Sequence, residues 1–231
     1  MTIKAVIFDL DGTIAAFNLD YKALRAEVRG YLIKMGVPAS VISVKESMFD
    51  MLRKADLLLK NAGKPASLLK EIREESFRIA DRYESEAAGL TTLLPGALET
   101  LKTLRRKGLK IGLCTNNGER STKFILERFK LTEYFDAAIP RDQVTKMKPS
   151  PEHCEAAVSA LGFPVSEVVF VGDSLIDMEA AKELKAMAVG LPTGISTKEQ
   201  LINHGANYII TSIVDLPQLV DGINKAGEEP A

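Results

Sequence analysis

The sequence is poor in the residues that build disulfide frameworks and zinc sites. It has two cysteines, Cys114 and Cys154, and two histidines, His153 and His204, among 231 residues. Two cysteines cannot form a disulfide framework, and no His or Cys cluster has the spacing of a zinc site. We therefore expect both thiols to be small core residues and both histidines to lie at the surface.

Long apolar runs are also absent. No stretch approaches the ~20 apolar residues that a membrane-spanning helix needs, so we expect no membrane partner. The first residues lack the apolar stretch and cleavage site of a signal peptide. These absences predict a cytoplasmic protein.

The chain has almost no excess charge of either sign. It contains 30 Lys and Arg against 31 Asp and Glu, a formal net charge of −1. Nucleic-acid binding depends on a strongly basic face, so we expect no nucleic-acid partner. A composition of 46% hydrophobic and 26% charged residues is that of a folded globular protein.

The apolar pattern changes twice along the chain. A nearly continuous apolar run at 4–10 indicates a strand buried on both faces. From Asp20 to about Ala88 apolar residues recur every three or four positions, as in amphipathic helices. Beyond this segment short strands alternate with helices. We predict the α/β class: a doubly wound, parallel, Rossmann-like sheet from 1–15 and 93–231, with an all-helical domain inserted at 16–92.

Polar residues follow three of the predicted strands. Asp9 and Asp11 follow the first strand, Thr115 and Asn116 the second, and Asp173 the fourth. Ligands of such sheets bind beyond the carboxyl ends of the strands, so these side chains should converge. Clustered carboxylates repel one another unless a cation lies among them, and hard oxygen ligands suit Mg²⁺.

Lys148 precedes a helix that opens with Pro149-Ser150-Pro151. A lysine ammonium and a threonine hydroxyl beside a carboxylate–Mg²⁺ centre suit a phosphoryl group, whose charge must be neutralised while bonds change. We therefore expect phosphoryl chemistry at this edge of the sheet.

These residues, in this order, resemble the four motifs of the haloacid dehalogenase-like hydrolase superfamily. The motifs are Asp9-Leu10-Asp11-Gly12-Thr13, Thr115, Lys148-Pro149 and Gly172-Asp173-Ser174-Leu175-Ile176-Asp177. The likeness falls in the phosphatase branch that carries a helical cap after the first motif, which includes phosphoglycolate phosphatase-like proteins. It implies a Mg²⁺-dependent phosphatase, monomer or homodimer, that hydrolyses a small phosphorylated metabolite through an aspartyl-phosphate.

The resemblance also implies roles for the three strand-end carboxylates. Asp9 would be the nucleophile, and Asp11 would be the general acid and then the general base. The metal ligands would be the side chains of Asp9 and Asp173 and the backbone carbonyl of Asp11.

The remaining motif residues would hold the phosphoryl group or support the metal. Lys148, also a catalytic residue, and Thr115 would bind the phosphoryl oxygens, with Asn116 helping through its backbone N–H. Asp177 would be an indirect or water-bridged partner of the metal. Plain alternatives remain: Thr115 as an ordinary strand residue, or Asp177 as a carboxylate that complements the helix dipole.

Two other functions need a similar core. A phosphomutase of the phosphoglucose type uses the same residues, and a retired phosphate-sensing or scaffold protein could retain the fold. Retired sites commonly lose the nucleophile or the acid, but both Asp9 and Asp11 are present. In the superfamily, Asp11 also favours phosphoryl transfer over dehalogenation.

The insert does not identify the substrate. The segment 14–20 departs from the common form, in which an acidic residue soon follows the first motif, and this weakens transfer from phosphoglycolate- or sugar-phosphate-directed relatives. Lys22, Arg25 and Arg29 are spaced to share one helix face. Such a face is usually solvated, and the alternative is a second anionic handle on the substrate. We expect the insert to close over the crevice, with hinges at 15–19 and 89–95.

Overall fold

The computed structural model describes residues 2–228, and within them lies one six-stranded sheet in which every strand pair is parallel. The strand order across the sheet is β3-β2-β1-β4-β5-β6. The strands are β1 (Ala5–Phe8), β2 (Lys110–Cys114), β3 (Ala137–Ile139), β4 (Val168–Gly172), β5 (Met187–Gly190) and β6 (Tyr208–Ile209). The predicted α/β class with a parallel sheet is confirmed.

The same residues contain nine α-helices: α1 (Tyr21–Lys34), α2 (Met48–Asn61), α3 (Ala66–Leu90), α4 (Ala97–Arg106), α5 (Glu119–Arg128), α6 (Pro151–Leu161), α7 (Leu175–Glu183), α8 (Lys198–His204) and α9 (Leu216–Glu228). Local signals start and stop them. Ser150 caps α6 by accepting from the Glu152 N–H, Pro151 occupies its first turn, and Gly162 ends it in the left-handed conformation. No described helix is long and apolar enough to cross a membrane.

The central strand β1 is buried on both faces. All four residues of β1 are inaccessible to solvent, although successive side chains point to opposite sides of a strand. Ala5 and Ile7 lie in a hydrophobic cluster that includes residues of α6, α7 and α8. This double burial explains why the strand sequences are continuously apolar rather than alternating.

The described chain divides into two compact units. Leu19–Leu90, hereafter the helical unit, contains α1, α2 and α3, and the remaining residues form the α/β unit. The helical unit has its own hydrophobic cluster, to which α1 contributes Val28 and Leu32, α2 contributes Met51, and α3 contributes Ile72. A helix that buries its apolar stripe against two neighbours does not depend on intrinsic propensity alone.

We expect Ile72→Ala to lower the free energy of unfolding by about 2–5 kcal/mol, because the fully buried side chain would leave a cavity. Leu57→Ala, on α2, is the matched control: Leu57 is 62% exposed, and its loss should cost about 0.5 kcal/mol or less. Urea denaturation followed by far-ultraviolet circular dichroism measures both. Equal values for the two variants would contradict this assignment of the core.

Candidate active site

The ends of three neighbouring strands bring the predicted site residues together. β1 is hydrogen-bonded to β2 on one side and to β4 on the other. Asp9, Thr115 and Asp173 each follow one of these strands directly. The Asp9 N–H donates to the Val171 carbonyl at 2.9 Å, which continues the pairing with β4. The convergence expected from parallel strands is therefore present.

The Lys148 ammonium lies at the centre of this edge. It donates to Asp9 Oδ1, to Asp177 Oδ1 and to the Cys114 carbonyl, each at 2.7 Å, and the residue is 3% exposed. Burial acts to lower the pKa of Lys148, but the carboxylates of Asp177 and Asp9 outweigh it and hold that pKa well above its usual value. These two carboxylates thus favour the charged form of the buried lysine.

The backbone of Lys148 is held by residues from two other segments. The peptide bond to Pro149 is cis. The Asn116 side-chain N–H donates to the Lys148 carbonyl at 2.9 Å, and the Lys148 N–H donates to His153 Nδ1 at 3.3 Å. His153 Nε2 lies 2.9 Å from the Ile139 carbonyl and therefore carries the proton. The expectation that His153 lies at the surface is wrong, because α6 turns this residue toward β3, where both ring nitrogens are bonded.

Three carboxylates form a cluster that could hold a cation. Asp9, Asp173 and Asp177 each offer an oxygen, and these atoms lie within 4.8 Å of one another. Burial raises the pKa of Asp9 to about 6, with Lys148 acting in the opposite direction. Burial and the neighbouring Asp9 and Asp177 raise the pKa of Asp173 well above its usual range. Such a set of hard oxygen donors, poorly stabilised as anions, fits a small divalent ion such as Mg²⁺.

The turn after β1 places Asp11 beside the strand-end loop of β2. Asp11 Oδ2 accepts from Asn117 Nδ2 at 2.7 Å. The turn itself requires glycine, because Gly12 has a φ of +79° and a Cβ there would lie 2.5 Å from Asp173 Cγ. The turn thus passes close to the Asp173 carboxylate, which only a glycine allows.

The loop of β2 supplies a hydroxyl and two amides. Thr115 is 2% exposed, and its Oγ1 accepts from the Asn117 N–H at 3.2 Å, so its O–H can still donate to a ligand. Asn116 contacts the Lys148 carbonyl through its side chain, as described above. Loop and lysine are therefore fixed relative to each other.

A loop after β5 also reaches the site and was not predicted from the sequence. The Thr193 hydroxyl donates to the Gly12 carbonyl, and the Ile195 N–H donates to Asp173 Oδ2 at 3.4 Å. A Cβ on Gly194 would lie 1.7 Å from Asp173 Oδ2. The only sequence signal was Pro192-Thr193-Gly194 after a strand that ends at the same edge.

Two of the basic residues on α1 are engaged within the helical unit. The Arg29 guanidinium donates to the Ile42 and Ala39 carbonyls, both at 3.0 Å. The Arg25 guanidinium lies 4.7 Å from the Tyr21 ring centroid. The expectation of a solvated face shared with Lys22 is therefore wrong for Arg29, which ties the end of α1 to the following loop.

The chain is similar to known proteins along most of its length. The family model described as haloacid dehalogenase-like hydrolase matches residues 3–185. A phosphoglycolate phosphatase of Shigella boydii is 33% identical over 230 residues, covering 93% of this chain and 91% of the relative. A phosphoglycolate phosphatase of Salmonella typhimurium has the same identity and coverage. The crystal structure of a hydrolase from Pseudomonas syringae aligns with a TM-score of 0.66 at 26% identity, covering 95% of this chain and 99% of that one.

We expect Gly194→Ala to weaken Mg²⁺ binding about ten-fold or more, because the added methyl group must displace the Asp173 carboxylate. Isothermal titration calorimetry measures the affinity. Gly30→Ala, on α1, is the control, since a Cβ there meets nothing within 4 Å. Unchanged Mg²⁺ affinity in Gly194→Ala would contradict a cation site at Asp173.

Proposed function

Because the chain belongs to the haloacid dehalogenase-like hydrolase family and is a phosphoric monoester hydrolase, we propose that it hydrolyses a small phosphorylated metabolite with Mg²⁺ through an aspartyl-phosphate on Asp9. One observation carries the proposal: the buried Lys148 ammonium joins Asp9 to Asp177 at the edge where Thr115 and Asp173 also lie. Such a site supplies a carboxylate nucleophile and fixed positive charge within one hydrogen-bonded cluster.

The metal would be held by the side chains of Asp9 and Asp173 and by the backbone carbonyl of Asp11. When bound there, Mg²⁺ would neutralise charge on the phosphoryl oxygens. Both oxygens of Asp177 are already engaged, Oδ1 with Lys148 at 2.7 Å and Oδ2 with the Ser174 N–H at 3.1 Å. We therefore assign Asp177 the role of holding Lys148 rather than that of a direct ligand.

In the first step an Asp9 carboxylate oxygen attacks phosphorus and forms an acyl-phosphate bond. The bond from phosphorus to the leaving oxygen breaks, and Asp11 gives its proton to that oxygen, so that a neutral alcohol departs. Lys148 and the Thr115 hydroxyl bind the phosphoryl oxygens during the transfer, with the Asn116 N–H beside them.

In the second step water attacks the phosphorus of the aspartyl-phosphate. Asp11, now a carboxylate, takes a proton from that water, the acyl-phosphate bond breaks, and Asp9 is regenerated with release of inorganic phosphate. The same group thus serves first as acid and then as base. A mutase would transfer the phosphoryl group to a second sugar phosphate instead, and a retired core would have no need of both Asp9 and Asp11.

The first substrate to test is 2-phosphoglycolate, since the relatives that cover most of the chain carry the name phosphoglycolate phosphatase. The segment 14–20 lacks an early acidic residue, so the panel should extend to sugar phosphates and other small phosphate esters. We propose that the helical unit acts as a cap that selects among them in the cytoplasm. Inorganic phosphate release across this panel tests the assignment, and formation of glucose 6-phosphate from β-glucose 1-phosphate without phosphate release would indicate a mutase instead.

Asp9→Asn should lower kcat about 10³-fold or more, because an amide cannot form the acyl-phosphate. Phosphate release from an aryl phosphate measures this loss, and near-ultraviolet circular dichroism verifies the fold. Asp215→Asn makes the same chemical change at an exposed position in the α/β unit and should leave kcat unchanged. Substantial turnover in folded Asp9→Asn would exclude Asp9 as the nucleophile.

Removal of divalent ions should abolish activity, because the Asp9 and Asp173 carboxylates lie close together and need a cation to face a phosphoryl group. EDTA should stop phosphate release, and added Mg²⁺ should restore it. Ca²⁺ should support little activity, since it takes more ligands at longer distances and would misplace the nucleophile. EDTA saturated with Mg²⁺ beforehand is the control, and full activity in metal-free buffer would contradict the proposal.

A further inference from the structure

Asn117 contacts the proposed acid–base residue and has no role in the mechanism above. The residue is 8% exposed, and its Nδ2 donates to Asp11 Oδ2 at 2.7 Å. It comes from the loop of β2, whereas Asp11 comes from the turn after β1, 106 positions away in the sequence. This contact therefore exists only because the two strands are neighbours.

The backbone of Asn117 is fixed from both sides. Its N–H donates to Thr115 Oγ1 at 3.2 Å, and its carbonyl accepts from the Arg141 N–H at 3.0 Å. Arg141 is 2% exposed, and its Nη1 donates to the Asn116 carbonyl at 3.0 Å. Two successive carbonyls of the loop thus accept hydrogen bonds from one buried residue. These bonds fix the Asn117 backbone, from which its side-chain amide extends.

We propose that Asn117 is a positioning residue that holds the Asp11 carboxyl in the orientation in which it protonates the leaving group. This inference rests on the proposed acid–base role of Asp11. An amide –NH₂ has donors but no acceptor, so the oxygen it contacts, Oδ2, must accept. The contact therefore fixes the Asp11 carboxyl through this oxygen.

A positioning role for Asn117 differs from a purely structural one in how the rate depends on the leaving group. Protonation matters most for a poor leaving group, such as an alkoxide, and least for an acidic phenol that departs as a stable anion. Loss of Asn117 should therefore slow alkyl phosphates far more than nitrophenyl phosphates. A residue that merely stabilises the loop, and with it Thr115, would affect every substrate equally, because all carry the same phosphoryl group.

The test uses N117A and N117L, the second of which keeps roughly the side-chain volume without the donor. Measuring kcat/KM with Mg²⁺ over a series from nitrophenyl to simple alkyl phosphates reports on the transfer step. We expect a loss of about 10²-fold for alkyl phosphates and under about three-fold for 4-nitrophenyl phosphate, within the usual size of acid catalysis. N203A, which removes an exposed amide on α8, should leave the series unchanged.

A second arm separates this inference from the mechanism on which it rests. D11N should show the same preference for acidic leaving groups, and N117L added to D11N should cause no further selective loss. If D11N lacks that preference, the acid–base role of Asp11 is wrong, and the inference falls with it. If D11N shows it while N117A and N117L lose activity uniformly or not at all, Asn117 is not a positioning residue and only the inference is overturned.

Discussion

The site depends on one interaction, the buried ammonium of Lys148 between the carboxylates of Asp9 and Asp177. Carboxylates packed this closely are unstable as anions, and here a single cation contacts two of them at 2.7 Å. Its third hydrogen bond goes to the Cys114 carbonyl at the end of β2. Lys148 therefore links residues that follow β1 and β4 to the end of β2. Removing it would leave buried charges without compensation, which typically costs more than the pair contributes.

The second constraint is the space around the carboxylates, which exists because the neighbouring residues are glycines and have no side chain. Asp173 lies against Gly12 and Gly194, and any Cβ at either position would overlap its carboxylate. Gly172 stands in the same relation to Asp177, whose Cβ would be 2.5 Å from an added one. The backbone thus approaches the charged groups directly, so that donors such as the Ile195 N–H can reach them. The same loops thus supply both hydrogen-bond donors for the carboxylates and the space in which the carboxylates lie.

The features that can be predicted from the sequence are those that a short, continuous stretch of residues determines. Continuous apolar strands that end in Asp9, Thr115 and Asp173 are local patterns, and parallel topology alone is enough to bring such ends together. The buried position of His153 and the loop at 191–196 depend on contacts between distant segments, which no local pattern records. Helix α8 carries a local signal, the capping box of Thr197 and Gln200, but its seven residues are too few to show helical periodicity.

The two units place different constraints on their sequences. Every residue proposed for the chemistry lies in the α/β unit, where neighbouring strands and buried charges restrict what can replace it. The helical unit has a hydrophobic core of its own, built on residues such as Val28 and Ile72, and needs only to preserve that core. Residues on its polar surface can therefore change without disturbing that core. This explains why the motifs identify a reaction while the insert is recognised only by its helical pattern, and it favours the helical unit as the part that determines the substrate.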